Sequence, residues 1–179
     1  MFGKLMRKAI ERTARSSGQD PAYTLAFYDA SPKSLMAVGR FAGLLKHREC
    51  VSAEAHFAAQ ITGALQEGCG SCVQIHIDMA RSEGVADALI ETIVTGEVER
   101  LPPDPSLAVR FARAIGTHSD DEMAAREAVR QRWGDKGVAD LAMATQVSRF
   151  LSMIKAGMGH ATACGPLSVG ERRISPPIT

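Results

Sequence analysis

Apolar residues recur along this chain every three to four positions, the spacing of one helix face. Alternating runs of β-branched residues, the mark of half-buried strands, are missing. The pattern predicts an all-α fold. Ser31-Pro32 marks a helix start, because proline at the first helical position gives up an N–H that has no partner there; it leads into residues 33–45. Ser52 stands before a longer pattern over residues 53–66, in which Phe57, Ile61, Ala64 and Leu65 recur at helical spacing. Gly68 and Gly70 interrupt it. A new helix is expected from Gly70 to Ser82, stopped at Gly84, since glycine is the usual residue just past a helix end. Residues 87–95 form a short helix. Leu101-Pro-Pro-Asp-Pro105 is the clearest break and the natural boundary between two halves. Residues 106–116 follow as a helix. Ser119-Asp-Asp-Glu122 fits a capping box, in which serine caps the helix and glutamate reaches back to it. That helix runs to Trp133 and ends at Gly134; residues 138–158 make the last long one.

The ends differ from this body. Residues 1–15 are basic and mildly amphipathic, with Phe2, Leu5, Met6 and Ile10 on the apolar side. They lack the continuous apolar stretch and small-residue cleavage site of a secretory signal; residues 1–30 read as an N-terminal arm or helix, with an organelle transit peptide or a membrane-surface helix as the alternatives for residues 1–15. Residues 31–164 form the helical domain. The tail, residues 165–179, is rich in Pro, Gly and Arg and is expected to be irregular, with Arg172 and Arg173 solvated. A faint internal repeat aligns residues 54–65 on residues 140–151 without gaps, with Ala58, Gln60 and Leu65 matched identically. In that alignment Cys69, Cys72 and His76 fall opposite Lys155, Met158 and Thr162, so only the first copy carries chemistry.

Composition narrows the function classes. The 179 residues are 45% hydrophobic and 23% charged with a formal net charge of +1, which gives no electrostatic footprint for nucleic acid. No run of eighteen apolar residues is present, so no membrane span is expected. Four cysteines, Cys50, Cys69, Cys72 and Cys164, with no signal sequence, point to a reducing, cytoplasmic setting and to redox thiols rather than structural bridges. Cys50 and Cys164 are structural or incidental in this reading.

The chemistry concentrates in Cys69-Gly-Ser-Cys72 and in His76, four residues past the second thiol. Residues four apart on a helix lie on one face, with about 5–6 Å between Cβ atoms, which lets an imidazole take a proton from a thiol. A helix starting at Gly70 aims its unpaired N–H groups and positive dipole end at the thiols. Both effects favour the thiolate, the reactive form. Two such thiols permit a cycle of sulfenic acid and disulfide, closed by an external dithiol. Other readings exist for the same residues. A zinc site needs two more ligands at suitable spacing, and His47, His56, His118 and Cys164 are scattered. The pair would also be compatible with packed, inert cysteines beside a satisfied histidine. Glu54 and Glu67 are upstream carboxylates able to orient the histidine, although Glu67 also suits a solvated surface position and Glu54 suits a helix start on dipole grounds alone. His56 reads as an ordinary partly buried or surface histidine.

Gln66-Glu-Gly-Cys69-Gly-Ser-Cys72-Val-Gln-Ile-His76, preceded by an Ala-rich helix, resembles the carboxymuconolactone decarboxylase family, in its AhpD-like alkylhydroperoxidase branch. The resemblance implies an AhpD-like helical bundle that assembles as trimers or hexamers. It implies thiol-dependent reduction of organic hydroperoxides, with Cys72 attacking peroxide, Cys69 resolving and His76 relaying the proton. No cofactor or metal is implied; the reductant would be a lipoyl or thioredoxin-like dithiol. Dipole reasoning alone favours Cys69, nearer the helix start, as the attacking thiol. The relay glutamate of that branch lies twelve residues before the first cysteine, where this chain has Phe57; Glu54, a turn earlier, is the candidate replacement. Ser71 lacks the ionisable side chain some relatives carry between the thiols. Two other functions remain open: a redox-responsive disulfide-exchange or interaction protein, and a lyase acting on a small lactone-like acid, which would not need the dithiol.

Overall fold

The computed structural model describes residues 2–16, 20–162 and 165–176. Eight helices follow in order: α1 (Phe2–Ser16), α2 (Ala22–Ala30), α3 (Pro32–Phe41), α4 (Ala53–Gln66), α5 (Gly70–Ser82), α6 (Asp87–Thr95), α7 (Pro103–Thr117) and α8 (Glu122–Gly157). Short 3₁₀ turns at Ala42–Lys46 and Val98–Arg100 join them, and a two-stranded hairpin, β1 (Leu167–Val169) and β2 (Arg172–Ile174), closes the chain. The fold is all-α among the described residues, apart from that hairpin. Among the described residues no helix is long and apolar enough to cross a membrane.

α4 is the axis of the molecule. Every residue from Ala55 to Ala64 is buried, as expected of a helix apolar on all sides. It packs chiefly on α7 and α8, and to a lesser extent on α5 and α6. Small residues permit the close approach: a Cβ placed on Gly63 would lie 2.7 Å from the Thr145 carbonyl and 2.5 Å from Ser148 Oγ on α8. Ser52 caps α4 as predicted, its hydroxyl accepting from the Ala55 N–H at 3.2 Å. Such a cap contributes about 1 kcal/mol.

One hydrophobic cluster includes Val51, Phe57, Ile77, Phe111, Leu141 and Val169. It crosses the Pro-rich segment at residues 101–105, so that segment divides no core. α7 starts at Pro103, three residues before the sequence pattern placed it, because Pro103 and Pro105 occupy the first turn, where backbone N–H groups have no helical partner. The expected capping box at Ser119 does not form. The Ser119 N–H is bound to Ala114 O at the end of α7, and its carbonyl accepts the Glu122 N–H, so Asp121 occupies the cap position without a side-chain bond. The predicted break at Gly134 is present: with φ 69° and ψ −170° that residue is non-helical, and two helical stretches of α8 meet there at a kink.

The tail corrects the sequence reading. Its strands pair antiparallel, Leu167 with Ile174 and Val169 with Arg172. Leu167 and Val169 are buried in the main cluster; Arg172 and Arg173 are exposed as expected, Arg172 also pairing with Glu91 on α6. Strands of three residues are too short to leave a period in the sequence. Cys164 lies outside the described residues.

Candidate redox site

Between α4 and α5 the chain reverses through Gly68, whose φ of +63° suits only a residue without Cβ strain. Cys69 then takes the position just before α5, in an extended conformation, and its carbonyl accepts the N–H groups of Cys72 and Val73. Cys69 and Cys72 are joined as a disulfide, with 5.3 Å between their Cα atoms. Their exposures differ: Cys69 is 0% exposed and Cys72 6%.

His76 stands one turn beyond Cys72 on the same helix and is 3% exposed. Its Nδ1 lies 3.2 Å from Gln60 Oε1 on α4. Gln60 Nε2 donates to the Leu45 carbonyl at 2.6 Å, so the amide oxygen faces the imidazole and Nδ1 must carry the proton. Nε2 is therefore the basic nitrogen. Burial, reinforced by His56, pushes the His76 pKa down to about 4. The neutral imidazole is the resting form near neutral pH. His56, also buried, bonds the same Leu45 carbonyl through Nε2 at 2.9 Å, and burial lowers its pKa as well.

Cys72 and His76 line one cavity of about 370 Å³. Its apolar wall comes from Tyr23 of α2, Leu35 and Val38 of α3, Leu45, Ile75 of α5 and Leu151 of α8. Lys155, one turn further along α8, also lines it and donates to Ser71 Oγ at 2.7 Å. Thr162 Oγ1 donates to the same hydroxyl at 3.1 Å, and the Thr162 carbonyl accepts the Gly70 N–H at 3.0 Å. Burial lowers the Lys155 pKa, with Asp20 acting the other way.

Sequence expectation and geometry part at several residues. Cys69, Cys72 and His76 come together. Glu54 does not join them: it is exposed in the first turn of α4, neither lines the cavity nor bonds His76, and Gln60 holds the place of an orienting group. Glu54 lies six positions before Gln60 on α4, which turns it to a different face of the helix. Phe57, where the relay glutamate of the resembled branch would be, is fully buried and packs edge-on against His56. Glu67 is paired with Arg149 of α8 at 2.6 Å, rather than solvated. Exposed Cys50 lies 3.5 Å from Asp140.

Spacing around the thiols does not point to Gln60, Lys155, Thr162 or Tyr23. Gln60 had a signal: it is an amide inside the apolar run Ala58-Ala59-Gln60-Ile61, and a buried polar residue needs a partner. The repeat alignment placed Lys155 and Thr162 opposite Cys69 and His76 but gave them no chemistry; their proximity to Ser71, 84 and 91 residues away, is a tertiary fact. Among the described residues no group of three or more His, Cys, Asp or Glu side chains is placed to hold a metal ion. In comparisons with known proteins, the chain matches no family model, no curated protein and no solved structure.

Proposed function

We propose that this protein reduces organic hydroperoxides through a Cys69–Cys72 dithiol cycle, with His76 handling the proton. One observation carries the reading: the outer sulfur of a CxxC disulfide and a tautomer-fixed neutral imidazole share one apolar cavity. In the reduced protein the Cys72 thiol gives its proton to His76 Nε2, and the thiolate attacks the outer peroxide oxygen. The O–O bond breaks, the alcohol leaves with a proton, and Cys72 becomes sulfenic acid. Cys69 attacks that sulfur, water leaves and the disulfide forms. A lipoyl or thioredoxin-like dithiol returns the two electrons. The apolar wall favours an organic peroxide over hydrogen peroxide. The AhpD-like bundle and its trimeric or hexameric assembly belong to the same proposal; exposed Met36, Phe41, Phe150 and Met153 offer apolar surface for such packing, and sedimentation at micromolar concentration reads the state directly.

The test mixes reduced protein with a stoichiometric organic hydroperoxide and follows free thiols and intact mass. Rapid loss of two thiols in the wild type, with sulfenic acid trapped at Cys72 in Cys69→Ser, is the expected result. Thiols that stay reduced for hours overturn it.

A second reading, disulfide exchange with another protein, is favoured by the amide at Gln60. Among the described residues no carboxylate bonds His76, so proton transfer from the thiol is uphill. Slow reaction with peroxide, together with a stable mixed disulfide captured on Cys72 in Cys69→Ser, would select exchange.

A further inference from the structure

We propose that Ser71 and Lys155 form a hydrogen-bonded chain that stabilises the Cys69 thiolate, so that an incoming thiolate attacks Cys72 and expels Cys69. The inference rests on the redox reading of the pair but not on peroxide as its oxidant.

The hydroxyl of Ser71 has three neighbours: Lys155 Nζ at 2.7 Å, Thr162 Oγ1 at 3.1 Å and Cys69 Sγ at 3.5 Å. A hydroxyl has one proton to give and two lone pairs to fill. The ammonium has no lone pair, so Lys155 donates. A disulfide sulfur carries no hydrogen, so toward Cys69 the Ser71 hydroxyl is the donor. Thr162 supplies the second accepted bond. The result is a directed chain, Lys155 to Ser71 to Cys69, with the cation at its head. When negative charge arrives on Cys69 the chain is already oriented toward it. Cys72 Sγ has no such donor among the described residues.

The surrounding charges agree with this direction. Lys155 makes no ion pair with any described carboxylate; Asp20 acts on it only from a distance, and its ammonium lies over the Tyr23 ring at 5.5 Å. His160 packs at a tilt against Tyr23, at 5.8 Å between ring centroids. Asp78, the other carboxylate lining the cavity, is held by the Gln74 amide at 2.9 Å. His76, on the Cys72 side, is neutral. The dipole of α5, which starts at Gly70, adds to the preference for charge on Cys69.

Access points the same way. Cys69 is fully buried, whereas Cys72 reaches the cavity. In the exchange step a reductant thiolate bonds to Cys72 Sγ, the S–S bond breaks and its electron pair passes to Cys69 Sγ. The second thiol of the same reductant then displaces Cys72 and leaves as the oxidised disulfide. A leaving thiol of lower pKa departs faster, so a chain that stabilises the Cys69 thiolate accelerates the first step.

Two measurements test this without any peroxide. Oxidised wild type is treated with 2-mercaptoethanol in the presence of an alkylating agent, and the products are mapped by mass spectrometry. The expected product carries mercaptoethanol on Cys72 and the alkyl group on Cys69; mercaptoethanol on Cys69 overturns the proposal. Separately, the thiolate absorbance of Cys69 is titrated in Cys72→Ser. Adding Ser71→Ala or Lys155→Met is expected to raise that thiol pKa by about one unit, with Lys155→Arg restoring most of it. Reduction of the oxidised Lys155→Met variant by dithiothreitol is expected to slow about threefold. A Cys69 titration unmoved by Ser71→Ala, a change too small to threaten the fold, overturns the proposal. Hydroperoxide inertness alongside the expected results would instead sink the peroxidase reading alone.

Discussion

His76 and Gln60 form the most consequential pair at the scale of single residues. An imidazole with an ordinary pKa of 6.5 is held near 4 by burial and by His56. Between those values the unfolded chain carries a proton at His76 that the folded chain does not. Stability is therefore intact above pH 6.5 and falls as pH drops towards 4, by at most ~3 kcal/mol from this group; His56 acts in the same direction. Urea midpoints of the oxidised protein at pH 7 and pH 5 should show the loss, and His76→Gln should flatten it. Gln60 holds the tautomer. Replacing it with leucine leaves the Nδ1–H buried without an acceptor, at a cost of about 1–3 kcal/mol. Imidazole ¹⁵N shifts, which should report one Nδ1–H tautomer in the wild type, should move toward a mixture in Gln60→Leu.

At the scale of elements, one contact and one kink depend on glycine. α4 and α8 meet at Gly63, against Thr145 and Ser148. Because a backbone carbonyl is one of the obstacles, Gly63→Ala must push the helices apart; a destabilisation of about 1–3 kcal/mol is expected by thermal melting. The kink in α8 depends on Gly134, whose φ and ψ are open essentially to glycine alone. Gly134→Ala should cost about 1–3 kcal/mol. If the melting temperature of Gly134→Ala equals that of the wild type, the kink is not required by the packing. Beyond the kink, Asp140 ties α8 to the approach of α4: burial alone would raise its pKa, but the N–H groups of Cys50, Glu49 and Val51 outweigh that and hold it below the usual value.

Across the whole molecule, the redox turn is assembled from distant parts. α5 and the residue before it supply the thiols and His76, α4 the orienting amide, α8 the lysine, and the segment after α8 both caps Gly70 and reaches Ser71. The terminal hairpin braces α5 from outside: Gln74 bonds the Ser168 N–H at 2.8 Å and its carbonyl at 2.9 Å, while Leu167 enters the core. Leu167→Ala is expected to cost about 2–5 kcal/mol. Hydrogen exchange should accelerate in α5 as well as in the hairpin; faster exchange confined to residues 167–174 would show that the brace does not extend to the site.

Local information was enough for much of this protein. Ser52, Gly70, Gly84 and the helical spacing of Phe57 and Ile61 mark α4 and α5 at their observed bounds, because caps, glycines and apolar periodicity act within a few residues of the backbone they shape. The same locality makes Cys69, Cys72 and His76 legible as one face of one helix. It fails where a contact spans the chain. Glu54 lies near the thiols along the chain and on the wrong face of α4, whereas Gln60 meets His76 because α4 and α5 pack at a particular rotation. The Ser71 hydroxyl finds Lys155 and Thr162 only once α8 has crossed α4 and the chain has turned back over α5. Spacing along a helix determines which groups are able to act together; helix packing decides which partners set their charge, because burial and hydrogen-bond donors are properties of the assembled core.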